Sequence, residues 1–283
     1  MSNLKYTAIL ATDETSSFVV FQCAAAVMLG GAILAVCTSI SVAFTGGGDG
    51  TETLAYSAAL SAAICGIAYI NYSSMAETRL RTLNQCRELI SKPVKPAEPY
   101  MSDACANARH IDDYVITTLR YSDWLATFPL LALKLFELAC DGPRERSTPL
   151  FLSPFIFPIV AGLGLAMVLC GFIALLASGD FEATRTDTTY SSVVRWFMYL
   201  VGSGCLVGIE IILWSTVAET NSFHAREVKL FSLVWVLYPV VFVAQIFKLP
   251  KGLKDIFFAI LDITSKPLLA VYVTQTALKR AMS

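Results

Sequence analysis

Seven stretches of this chain are long and apolar enough to cross a lipid bilayer, and nothing else in the sequence limits its fold as strongly. They lie near 18–44, 54–75, 114–140, 151–178, 193–217, 230–247 and 256–278. A bilayer core takes about 20 apolar residues to cross as a helix. Within lipid a helix satisfies every backbone N–H and C=O inside its own segment, which a loop cannot do. The reading is therefore an all-α membrane protein, a seven-transmembrane-helix bundle forming one domain over 1–283. Composition agrees: 55% of residues are hydrophobic and 15% charged, with a mean hydropathy of +0.61. That is too little charge to cover a soluble domain of this length. A net charge of -1 without a basic run leaves no footprint for nucleic acid.

Between the spans the connections are mostly short. The exception is 77–113, where Pro93, Pro96 and Pro99 suggest a long polar surface loop. The eight cysteines include no CxxC and no histidine at metal spacing, so no metal site is expected. Cys86 and Cys105 both fall in the polar loop, and a disulfide between them stays open if that loop faces an oxidising compartment. The first residues lack the cationic stretch and adjoining apolar core of a cleaved signal peptide.

Charges inside membrane helices are costly and mark function by default. The third span holds Arg120, Asp123, Lys134 and Glu137, the fifth Glu210, and the seventh Asp262 and Lys266. Asp262 and Lys266, four apart, share one helix face, as do Arg120 and Asp123, three apart. Asp123 and Lys134 are separated by three helical turns, roughly 16 Å along the axis. The same spacings also suit ion pairs that lock a bundle together without chemistry. Glu137 and Glu210, near span ends, read as interfacial, and His110 and His224 as solvated.

Three of these segments carry a resemblance. RYSDWLATFPLLALK, from Arg120 to Lys134, is similar to the helix-C signature of microbial rhodopsins; WVLYPVVF, from Trp235, resembles their helix F; LDITSKP, from Leu261, resembles their retinal-attachment segment. The likeness covers nearly the whole chain, and the three motifs stand in order on the third, sixth and seventh spans. It implies a bundle enclosing all-trans retinal, held as a protonated Schiff base on Lys266, and a light-driven protein rather than an enzyme. A buried amine can attack an aldehyde, and the resulting imine cation needs a counterion. Asp123 and Asp262 supply one, with Arg120 balancing their excess charge. The resemblance further implies that Asp123 accepts a proton, that Thr127 and Lys134 complete a helix-C triad, and that Tyr72 and Tyr238 bond Asp262. Trp124, Leu131, Met167, Gly171, Tyr199, Leu206, Trp235, Tyr238 and Phe242 are expected to line the polyene pocket. Ordinary aromatic packing is the alternative for those side chains, and the buried Lys266 weighs against it.

The departures shape the function. Phe242 replaces a tryptophan, Asn71 stands where proteorhodopsins place a histidine beside the counterion, and Lys248, Lys251 and Lys254 occupy the region of an extracellular glutamate pair. Lys134 takes the place of a carboxylic proton donor, as in a minority of proteorhodopsin-like pumps. Asp123 argues against chloride pumping, no Asn-Asp-Gln pattern suggests sodium, and Phe128 and Gly164 stand where green-algal channels pair a Cys and an Asp. An outward proton pump follows, with a light-gated channel on a pump-like template and a photosensor as alternatives. Leu131 predicts green absorption, Ser265 adds a hydroxyl dipole beside the imine, and Tyr199 fills the window a carotenoid antenna would need. The lipid bilayer and protons or other small ions are the expected partners, in a homo-oligomer at the cell membrane. The family orientation puts the N-terminus outside. It also leaves twelve of the 21 Lys and Arg on the outer side and six on the inner, against the positive-inside rule.

Overall fold

The computed structural model describes residues 2–45, 51–91, 100–140, 156–177, 189–246 and 251–282. They form α1 (Ser2–Thr45), α2 (Thr51–Ser91), α3 (Tyr100–Ala139), α4 (Ile156–Ala177), α5 (Thr189–Thr220) and α6 (Ala225–Ile246). The seventh rod is continuous: α7 (Lys251–Ile263), a π-helical turn (Thr264–Leu268) and α8 (Leu269–Met282). Among the described residues there is no strand. Each helix packs on the next, and the seventh rod closes the ring against α1 and α2.

Among the described residues, five rods are long and apolar enough to cross a membrane, represented by Thr15–Thr38, Ala55–Glu88, Pro158–Ala177, Ser192–Thr220 and Gly252–Thr276. The other two, α3 and α6, are the ones that charge dilutes: α3 by its inward-facing ionisable residues, α6 by Arg226, Glu227 and Lys229 at its start. Large apolar side chains such as Ile33, Ile70, Phe197, Leu200 and Ile211 stand exposed on the outer faces, where a soluble protein would place charge.

The 77–113 segment is not the long loop its composition suggests. Helix α2 runs on to Ser91 and α3 starts at Tyr100. The polar residues decorate helical extensions, and Arg79 on α2 pairs with Asp113 on α3 at 2.8 Å. The three prolines lie in 92–99, outside the described residues. Cys86 is disulfide-bonded. Cys23, Cys65, Cys170 and Cys205 are free thiols, and the side chains of Cys105 and His110 lie outside the described residues.

At the other end, α5 and α3 finish side by side. Thr220 donates to the Ala139 carbonyl at 2.6 Å and Ser222 to the Leu138 carbonyl at 2.7 Å. These bonds satisfy carbonyls that the last turn of α3 leaves without helical partners. They also show that α3 and α5 run in the same direction. Asn221, at φ 52, makes the turn into α6, a conformation asparagine tolerates better than most residues. His224 is not solvated. Its Nδ1 lies 2.8 Å from the Tyr272 hydroxyl, and burial holds its imidazole below the usual histidine range despite nearby Glu227.

Candidate functional site

Asp255, Asp262 and Lys266 follow one another at intervals of seven and four, so they share the inward face of the seventh rod, where all three are buried. Lys266 sits inside the π turn, directly before Pro267. A proline within a helix removes one backbone hydrogen bond and crowds the carbonyl a turn earlier. The wider turn accommodates both effects, and such turns gather at functional sites. Helix α1 approaches this turn closely because residue 31 is glycine. A Cβ there would lie 3.1 Å from both Pro267 Cβ and Cys65 Sγ.

Lys266 Nζ donates to Asp123 Oδ2 and lies 3.3 Å from Asp262 Oδ1. Helices α3 and α7 thus present two carboxylates to one amine. Asp262 is further held by Tyr72 at 2.7 Å, Tyr238 at 2.6 Å and the Trp124 indole N–H at 3.1 Å. Asp123 Oδ1 is buried and has no hydrogen-bond partner among the described residues. Thr127 does not touch the carboxylate; its hydroxyl donates to the Asp123 backbone carbonyl at 2.8 Å. Asn71 bonds the Ile67 carbonyl at 3.0 Å and accepts from Ser122 at 3.5 Å.

From Lys266 an apolar cavity opens between α3, α4, α5 and α6. Trp124, Leu131, Met167, Gly171, Tyr199, Trp235, Tyr238 and Phe242 line it, as do Tyr121, Phe128, Met198, Ser203, Phe258 and Ser265. Leu206 is the exception to the expected wall. It is buried in the core with Ile209 and Leu213, while Gly202 and Ser203, one turn earlier, take the wall position. Tyr199 stacks on Phe242 with centroids 5.6 Å apart, and Trp124 meets Tyr238 edge-on at 5.1 Å. Phe128 packs on Trp235 at 4.9 Å and fills the space over Gly164, where a Cβ would lie 2.0 Å from the ring. Ser265 lies 3.1 Å from the Tyr238 hydroxyl. One amine, two carboxylates beside it and a long aromatic slot fit retinal: Lys266 would hold it, Asp123 and Asp262 would balance the linkage, and the rings would flank the chain.

On the Arg120 side the sequence reading missed the partner. Arg120 acts on Asp123 and Asp262 through its charge, not through an ion pair. It pairs with Asp255 at 2.9 Å, with Phe258 under its guanidinium at 4.7 Å. Arg79 reaches Asp255 at 3.8 Å as well as Asp113. This network of buried charge joins α2, α3 and α7. Arg79 and Asp113 were hidden inside the supposed loop, but Asp255, seven before Asp262 on the same face, was a legible signal. The substitution Asp255→Asn leaves two buried guanidinium groups short of a carboxylate. We expect it to cost about 3 kcal/mol or more, read as earlier thermal bleaching of the pigment; an unchanged bleaching midpoint contradicts the network's structural role.

Toward the far end of α3, Lys134 is buried, bonded to Ser57 at 3.0 Å and to Glu137 at 2.7 Å, with the Tyr56 ring 5.0 Å away. Glu137 is therefore the ion-pair partner of Lys134 rather than a bystander at the interface. Glu210 also departs from expectation: both its carboxylate oxygens are buried within the α5–α6 seam.

The chain is similar to known proteins. The family described as bacteriorhodopsin-like protein matches residues 15–280. The chain is 30% identical over 159 residues to bacteriorhodopsin of Haloterrigena sp. (strain arg-4), covering 52% of this chain and 54% of that protein. It is 27% identical over 178 residues to halorhodopsin of Natronomonas pharaonis, covering 60% and 54%. The match thus spans about half the length of these curated relatives. The crystal structure of Exiguobacterium sibiricum rhodopsin superposes with a TM-score of 0.61 at 17% identity, over 93% of this chain and 97% of that one.

Proposed function

The chain belongs to the bacteriorhodopsin-like protein family, whose members bind retinal through a lysine Schiff base, and from that premise we propose that it is a light-driven outward proton pump. Lys266 carries the retinal, Asp123 is counterion and proton acceptor, and Lys134 stands at the inner donor position. The observation that carries the reading is the Lys266 amine held between Asp123 and Asp262 at the mouth of an aromatic cavity. Bound retinal supplies light absorption and a light-driven change in how tightly the lysine nitrogen holds its proton.

The protein's own groups give that proton a direction. Asp262 already accepts from Tyr72, Tyr238 and Trp124, whereas Asp123 keeps one buried oxygen open. A proton leaving the Lys266 nitrogen is therefore received on Asp123, within hydrogen-bond reach as a base must be. Beyond Asp123, the Arg120–Asp255 pair lies on the exit side. Lys134 lies seven residues past Thr127 on the entry side, where Glu137 and Ser57 can steady it in both protonation states. Phe128 and Gly164, packed against each other, stand where green-algal channels pair a Cys and an Asp, which speaks against that gate.

The outward direction rests on an N-terminus outside, with the molecule a homo-oligomer in the cell membrane. Illuminated intact cells should acidify their medium, and a protonophore should abolish the change. Light-driven alkalinisation with a C-terminal tag accessible from outside would mean the molecule is inverted; no light-driven pH change would sink the pump reading.

A further inference from the structure

The carboxyl of Glu210, on α5 in mid-span, takes no part in the chemistry above. It stands beside the Ser232 hydroxyl and the Trp214 indole, yet neither of its oxygens has a hydrogen-bond partner among the described residues. Counting donors explains why. The single N–H of Trp214 goes to Ser232 Oγ at 3.0 Å, and the single O–H of Ser232 goes to the Lys229 carbonyl at 3.2 Å. No donor is left over for a carboxylate. A buried carboxylate with no donor costs several kcal/mol in a membrane interior, so the group is best carried as a neutral acid with its own proton.

Its depth gives that proton a use. Thr220 and Ala139 meet at the common end of α5 and α3, which places Glu210 and Lys134 on the same side of the cavity. Glu210 is ten residues from that end and Lys134 five, so Glu210 lies deeper by about 7 Å. Seven residues the other way along the same stripe of α5 is Ser203, which lines the cavity and whose hydroxyl is also buried without a partner. Buried unsatisfied polar atoms are uncommon and call for an explanation. Here they lie on one helix face, between the cavity and the end where Lys134 pairs with Glu137.

Resting on the pump reading above, we infer that Glu210 is an internal proton donor on the α5–α6 side, a neutral acid in the dark that releases its proton toward the cavity at Ser203 during the return to the resting state. The O–H bond of Glu210 breaks, the Lys266 nitrogen, emptied by the earlier transfer to Asp123, accepts the proton by way of the cavity at Ser203, and the Glu210 carboxylate keeps the electron pair. Trp214 N–H and Ser232 O–H, now bonded elsewhere, are close enough to turn onto the new anion. Lys229, 5.9 Å from the centre of the Trp214 ring, adds positive charge nearby. A proton from the inner solution then restores the acid.

Time-resolved infrared spectroscopy of the whole pigment tests this directly. Wild type should lose a protonated-carboxyl C=O band as the return phase begins and regain it afterwards. In Glu210→Gln that band should be missing and the return should slow at least tenfold, with the dark visible maximum unchanged. Glu210→Asp should shift the band and restore part of the rate. A band that persists in Glu210→Gln, or a return at the wild-type rate, overturns the assignment. Should wild type move no net protons while the band behaves as described, the pump reading fails and the neutral acid at Glu210 stands.

Discussion

Lys266→Ala protein mixed with all-trans retinal should stay without a visible absorption band at any retinal excess. Among the described residues Lys266 is the only lysine lining the aromatic cavity, so no other amine described there can form the imine. The substitution also leaves Asp123 and Asp262 buried together without the cation that lies between them. Uncompensated buried charge of this kind costs several kcal/mol, so the variant should also lose thermal stability, and a purified, helical but colourless protein is the informative sample. A pigment of normal colour from Lys266→Ala would move the attachment site elsewhere.

The second large effect is expected at Asp123. Asp123→Asn removes the oxygen that Lys266 Nζ meets and, among the described residues, the open proton acceptor beside it. Outward transport should fall at least about a hundredfold, the scale of losing a positioned base. The visible maximum should move to the red, because negative charge near the linkage stabilises the ground-state cation. Acidifying the wild type should give the same red shift, since protonation removes the same charge. Light-driven pH changes and absorption spectra of the purified variant check both. If Asp123→Asn keeps its colour and its transport, the acceptor is another group.

Much of this was legible before any coordinates. Seven apolar stretches predict seven rods, and the four-residue step from Asp262 to Lys266 predicts a shared face, because both follow from helical geometry alone. Most of the cavity wall followed from the resemblance, through residues such as Trp124, Trp235 and Tyr238. What stayed hidden depends on partners distant in sequence. Arg79 and Asp113 belong to helical extensions that composition makes look like loop, since a polar helix beyond the membrane lacks the apolar run that betrays a span. Asp255 therefore had no visible partner, and the ion pair it makes with Arg120 was missed. Leu206 was placed in the wall because resemblance transfers positions but not which turn of a helix faces a cavity. Glu210 looked interfacial because nothing local shows that Trp214 and Ser232 spend their donors on other groups.

The central claim is that light drives protons one way through this molecule, and photocurrent across a range of membrane voltages tests it most directly. A pump of the kind described gives current in a single direction at every voltage, shrinking but not reversing as the opposing potential grows, and vanishing in Asp123→Asn. A current that changes sign at the equilibrium potential of a permeant ion would contradict the account and make the protein a light-gated channel.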